Sequence, residues 1–139
     1  MDGDNKVECT RCKKKRTIVK SLTIFKCPEV LVLHIKRFQF TSIVRQKLST
    51  SINFPISSLD ISPFLSPDSP QKSSSCIYDL VGVSNHMGGM GGGHYTATVD
   101  SSFGNSTWNN YDDSHASQTT PSSSLGSSAY LLFYKKRDG

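Results

Sequence analysis

Residues 17–25, TIVKSLTIF, alternate at Ile18, Lys20, Leu22 and Ile24 and are rich in β-branched side chains, a period-2 pattern that predicts a strand. Pro28 breaks it. Val30 to Ile35 is apolar throughout except at His34, and a short continuous apolar run fits a strand buried on both faces. The run ends in Lys36-Arg37-Phe38. Gln39 to Lys47 predicts a loop or loose hairpin, and Leu48 to Phe54 a further strand stopped by Pro55. Strand patterns resume at Ile77–Val83 and recur at His94–Val99, Thr107–Tyr111 and Ala129–Tyr134, with a Ser-rich turn over Ser122–Ser128. There is no internal repeat and no amphipathic helical period, so the chain reads as mainly β.

Composition interrupts this pattern in one place. Residues 57–75 hold eight Ser and three Pro in nineteen positions, too few apolar groups to pack a core. They predict an exposed connection with a minor apolar anchor at Leu59, Ile61, Phe64 and Leu65. Over the whole 139 residues apolar side chains make up 35%, enough for one lean domain. No apolar run is long enough for a membrane helix, and MDGDNKVECTR has no apolar h-region, so neither a membrane span nor a signal peptide is expected. Four Cys in such a chain argue for reducing surroundings, cytoplasmic or nuclear, and against a disulfide scaffold.

Charge is divided along the chain. Residues 1–47 carry twelve Lys and Arg against four acids, a net of +8, whereas residues 48–134 carry Lys72 against six Asp, a net of −5. A nucleic-acid face would be more uniform, and the basic run Arg11–Arg16 has no interleaved aromatics. It reads as a solvated strand face or hairpin tip, and nucleic acid is an unlikely partner.

The chemistry concentrates around residue 94. Gly88 to Gly93 includes five Gly in six residues, followed by His94-Tyr95-Thr96-Ala97. Clustered glycines let another backbone approach closely, and a His at the start of the next strand sits where a general base should be. A Gly-rich turn with an incidental His is the alternative. Trp108-Asn109-Asn110-Tyr111-Asp112-Asp113-Ser114 ends a strand with two acids. A carboxylate accepting a hydrogen bond from an imidazole Nδ1–H would fix its tautomer, while a solvated turn is the plain reading.

Five blocks, in order, carry a resemblance to a known family. They are Cys9-Thr10-Arg11-Cys12; Pro28 to Phe38; Phe54-Pro55; Tyr78 to His86, running on to Gly92-Gly93-His94-Tyr95; and Trp108 to Asp113, followed by Ala129 to Tyr134. Together they resemble the C-terminal half of a ubiquitin-specific protease catalytic domain. The resemblance implies the mainly β part of an α+β papain-like cysteine protease, an antiparallel palm sheet (31–139) plus finger strands (1–30). It implies a thiol-dependent deubiquitinase cutting after the C-terminal glycine of ubiquitin, with ubiquitin and ubiquitinated proteins as partners.

Residue by residue, the resemblance implies that His94 is the general base, that Asp112 orients it, and that Asp113 supports them. It further implies that Gly88, Gly89, Gly91, Gly92 and Gly93, with Tyr95 and His86, lie along the ubiquitin tail. Asp79 and Asp100 are candidates to pair with basic residues of that tail. Catalysis needs no cofactor. Cys9 and Cys12 match half of a structural zinc site. The family's nucleophile Cys and second CxxC have no counterpart here. Cys76 opens a strand and so gains no helix field to activate it, and Cys27 reads as packing. The chain by itself is expected to be inactive. The alternative reading is a half-domain that holds ubiquitin without cutting it.

Overall fold

The computed structural model describes residues 6–43, 45–72, 76–89, 91–102 and 107–137. A short hairpin comes first, β1 (Val7–Glu8) and β2 (Lys15–Arg16). Then follow β3 (Val30–His34), the hairpin β4 (Phe38–Phe40) and β5 (Arg45–Lys47), and β6 (Leu59–Asp60). The long strands are β7 (Ile77–Gly88), β8 (Gly93–Asp100), β9 (Trp108–Asp112), β10 (His115–Thr119) and β11 (Ala129–Lys136). One antiparallel sheet runs in the order β10-β9-β8-β7-β11-β3, with β6 pairing off β7. No described helix is long and apolar enough to cross a membrane.

The strands expected at 77, 94, 107 and 129 all form, and β7 runs on to Gly88. Its alternation buries Tyr78 and Leu80 and, past the register shift between Leu80 and Gly82, Val83 and Asn85. Trp108, Ala129, Leu132 and Tyr134 join them, and Ile61, Leu59 and Leu65 of the connection pack over the same core. The 57–72 segment is therefore better anchored than its composition suggests. Of its four apolar residues only Phe64 lies exposed. Ser hydroxyls replace apolar contacts there: Ser69 Oγ donates to Phe25 O at 2.6 Å, and Ser62 Oγ accepts from Cys76 N at 3.0 Å. The expected connection's residues 73–75 lie outside the described residues.

Three expectations are corrected. Residues 17–25 form no strand; only Ile24 makes a bridge, to Leu65, and Val19 is 94% exposed. Alternation stabilises a strand only where a neighbouring strand accepts its backbone and a core accepts its face, and here only Ile24 meets either, while Ile18 and Leu22 stay exposed. Leu48 to Phe54 likewise contributes a single bridge, Ile52 to Gly126. Strand β3 is an edge that is half-buried only at Leu31: Val30 is 52%, Val32 48% and Leu33 37% exposed.

The cysteines supply a further correction. Cys27 and Cys76, both buried, are joined as a disulfide, with Cα atoms 6.5 Å apart. The turn at Pro28 and the entry to β7 bring two core positions 49 residues apart in sequence side by side, which sequence spacing cannot show.

Candidate active site

Two hairpins place the chemistry. In the first, β7 turns into β8 across the glycine run, pairing Gly88 with Gly93 and Met87 with His94. Gly88 has φ +92°, and a Cβ there would lie 2.8 Å from Gly92 O. A Cβ on Gly93 would overlap the His86 ring. These two glycines close the turn. Gly89, Gly91 and Gly92 are different, since a Cβ on any of them meets nothing within 4 Å. In the second hairpin β9 turns into β10, pairing Asp112 with His115 across Asp113-Ser114. Asp113 takes φ +49°, a left-handed conformation that Asp tolerates better than most residues. Asp113 thus shapes the turn that presents Asp112. Strand β10, HASQT, was not expected, and its polar residues follow the turn rather than a core.

The turns bring the two functional groups together. His94 Nε2 donates to Asp112 Oδ1 at 2.5 Å, with both side chains nearly half exposed. The nitrogen facing the carboxylate is Nε2, not the Nδ1 expected from the sequence. The carboxylate therefore holds the proton on Nε2 and leaves Nδ1 as the basic nitrogen. Nδ1 has no hydrogen-bond partner among the described residues, so it is open to an incoming group. The hydrogen bond from Asp112, and then its charge, hold the His94 pKa above the usual histidine value, with a smaller contribution from Asp113. Asp113 acts on His94 through charge rather than a hydrogen bond.

No thiol stands beside Nδ1. Cys9 and Cys12 are free thiols on the β1–β2 hairpin. Cys76 precedes β7 at the end opposite the Met87–His94 pairing and is bonded to Cys27. The ligand atoms of His94, Asp112 and Asp113 lie within 4.8 Å of one another, close enough for a divalent cation. In this arrangement, however, Asp112 and His94 are already satisfied by each other.

Beside His94 lies a wall of rings. The His86 ring lies tilted against Tyr95 at 4.7 Å and edge-on to Phe38 at 5.2 Å, and Tyr130 stands edge-on to His34 at 4.7 Å. Lys47 Nζ donates to His86 O at 2.6 Å. A groove of about 510 Å³ meets these rings at His86 and lies between Lys47, His86, Gly88, Gly89 and Ser128. His86 is buried, its Nδ1 lacks a partner, and burial followed by the charge of Lys47 pushes its pKa down. The expected line of Gly88–Gly93, Tyr95 and His86 is thus brought together. Lys47, at the end of the 39–47 segment, joins it, and so do Phe38 and Tyr130, which were not expected because sequence separation hides their approach.

Asp79 and Asp100 fall elsewhere. Asp79 is bound by Arg137 at 2.6 and 2.9 Å, and Asp100 Oδ1 accepts from Ser102 N and Oγ. Both sit at the opposite end of their strands from His94, so Asp79 is not available to a ligand at the site. A separate groove of about 680 Å³ there, floored by Val30, Val81, Val99 and Tyr111, lies away from the His94–Asp112 pair.

A family model described as ubiquitin carboxyl-terminal hydrolase matches residues 3–134. The chain belongs to that family, a class of cysteine-type hydrolases. Among relatives, ubiquitin carboxyl-terminal hydrolase 12 of Saccharomyces cerevisiae is 42% identical over 130 residues, 93% of this chain and 10% of the relative. Ubiquitin carboxyl-terminal hydrolase 9 of Arabidopsis thaliana is 41% identical over 128 residues, 92% of this chain and 14% of the relative. The fold matches the SAGA Ubp8/Sgf11/Sus1/Sgf73 DUB module bound to ubiquitin aldehyde at a TM-score of 0.79 and 33% identity, covering 98% of this chain and 30% of that one. This chain thus spans a small part of each relative.

Proposed function

We propose that this chain is the base-bearing part of a thiol-dependent hydrolase that cleaves after the C-terminal glycine of ubiquitin. The observation that carries the reading is the His94 Nε2–Asp112 hydrogen bond with Nδ1 left open. In this reading Nδ1 takes the proton of a thiol supplied from outside these residues. The resulting thiolate attacks the carbonyl carbon, and His94 returns the proton to the leaving amine. His94 then removes a proton from water, whose oxygen displaces the thiol from the thioester.

Support for ubiquitin comes from the relatives' names and from solved neighbours bound to ubiquitin aldehyde and to monoubiquitin. Gly89, Gly91 and Gly92 add to it. None has a positive φ, and none is crowded by the fold. Their lack of side chains therefore serves something outside the chain, such as a threaded Gly-Gly tail. His86, which lines the groove with Tyr95 and Phe38 against its ring, would flank that tail.

A structural zinc held in part by Cys9 and Cys12 belongs to the same reading. The two thiols face one hairpin turn, and backbone N–H groups of Cys12 and Arg11 pull the Cys9 thiol pKa down, as a thiolate ligand requires. Among the described residues no third donor joins them, so they would supply two of four ligands and tie the hairpin to another segment.

The test is hydrolysis of a fluorogenic ubiquitin ester by a protein carrying this chain together with a thiol-bearing half. His94→Ala is expected to lower kcat by about 10²–10⁴-fold while ubiquitin binding stays within about tenfold. Asp112→Ala should cost less than His94→Ala. Undiminished turnover in His94→Ala, or turnover that depends on Cys76, would overturn the assignment.

A further inference from the structure

We propose that Cys27 and Cys76 form a reversible dithiol–disulfide clamp that sets how firmly residues 24–28 and the 61–72 connection are held to the start of β7. The inference does not depend on the reading of His94. Both sulfurs are buried in the hydrophobic core, at 2% and 0% exposure, and bonded to each other. A buried thiol pair in reducing surroundings would pack as two small apolar groups. The fold already places the two sulfurs side by side, so the pair bonds once an oxidant reaches it.

The neighbouring hydrogen bonds show what the clamp grips. Cys27 N donates to Gln71 Oε1 at 2.5 Å, and Cys76 N donates to Ser62 Oγ at 3.0 Å. Ile24 N donates to Phe64 O at 2.9 Å, Ser66 N to Ile24 O at 2.8 Å, and Ile61 N to Cys76 O at 3.0 Å. These bonds hold the joint together without the disulfide, so reduction loosens the connection but leaves the sheet formed. The bond also closes a loop spanning 49 residues that contains β3, β4, β5 and β6. Closing such a loop restricts the unfolded chain, which stabilises the folded one.

Oxidised glutathione is the co-reactant. The thiolate of one cysteine attacks a sulfur of oxidised glutathione, breaking its S–S bond and releasing one glutathione thiolate. The thiolate of the second cysteine then attacks the protein sulfur of the mixed disulfide. The Cys27–Cys76 bond forms and the second glutathione leaves. Two electrons pass to oxidised glutathione, and the two thiol protons end on the released glutathiones. Because both sulfurs are buried, exchange requires local opening of the 61–72 segment, so it is slow and cooperative rather than continuous.

The test poises the intact chain in glutathione buffers of stepped reduced-to-oxidised ratio, quenches with acid, alkylates after unfolding and maps peptides by mass. Cys27 and Cys76 should become protected together, with one shared midpoint, in a Cys9→Ser/Cys12→Ser background as in the parent. The oxidised form should unfold about 5–15 °C higher, and amide exchange over 61–72 should slow while that of β8 does not. Free Cys27 and Cys76 thiols at every ratio would overturn the proposal. So would stable glutathione adducts in place of the bond, or equal unfolding temperatures and exchange in both states. Cys27→Ala/Cys76→Ala should abolish the redox dependence. If that variant does not fold, the parent's mass map and exchange profile still decide the matter.

Discussion

His86 and His94 stand eight residues apart on one hairpin and are pushed in opposite directions. Asp112 lifts His94 by accepting its Nε2 proton, whereas burial lowers His86 with Lys47 adding repulsion. An NMR titration of the imidazole resonances should therefore place the His94 midpoint above 6.5 and the His86 midpoint below it. Asp112→Asn should bring His94 down, and Lys47→Met should let His86 rise. Midpoints in the reverse order would show that the ring orientations are wrong. Their effects on stability also differ in sign. The His94–Asp112 interaction stabilises the fold fully below pH 6.5 and fades as pH rises through the raised pKa. Keeping His86 neutral costs nothing above pH 6.5 and costs progressively more as pH falls towards its lowered pKa.

At the level of the element, the β7–β8 hairpin separates glycines the fold needs from glycines it does not. Gly93→Ala drives a methyl into His86 and against Met87 O, and should destabilise the chain by about 1–3 kcal/mol. Gly92→Ala meets nothing and should stay within about 0.5 kcal/mol. Urea unfolding of the two variants checks this, and equal losses would mean that the crowding at His86 relaxes freely. Elements that face the core on one side were legible in the sequence: β7, β8, β9 and β11 alternate against a real surface. The 17–25 segment has the same alternation without a surface to meet, so its pattern misled. Strand β10 has no pattern because the Asp113 turn, not burial, aligns it. In the site, His94 and Asp112 could be read from their motifs. The choice of ring nitrogen and the approach of Phe38 and Tyr130 could not, since each depends on side-chain directions across strands distant in sequence.

On the scale of the whole molecule, one buried cation joins segments that no strand connects. Arg37 is 1% exposed, and its guanidinium donates to Ala129 O, Leu48 O, Thr50 O and Gly126 O at 2.6–3.1 Å. No carboxylate pairs with it among the described residues. Carbonyl oxygens from the 48–50 stretch and from the chain leading into β11 take that place. Arg37→Met keeps the bulk but strands these carbonyls, and should lower stability by about 3 kcal/mol or more. The urea midpoint measures this. A loss under about 1 kcal/mol would mean that water replaces the guanidinium without difficulty.

The position of β11 has a consequence for the order in which the molecule can be made. It comes last among the described strands, yet it lies inside the sheet between β7 and β3, pairing Leu131 with both Ser84 and His34. Until it emerges from the ribosome, β3 has no partner and β7 exposes an unpaired edge. The nascent chain must therefore carry the open edge of β3 from His34 onwards, and that of β7 as well from Gly88, until β11 appears. Contacts spanning nearly a hundred residues are slow to form, and such edges are prone to pair with the wrong chain. Folding of the centre of the sheet thus waits for β11, and demand for chaperones should be greatest just before Ala129 appears.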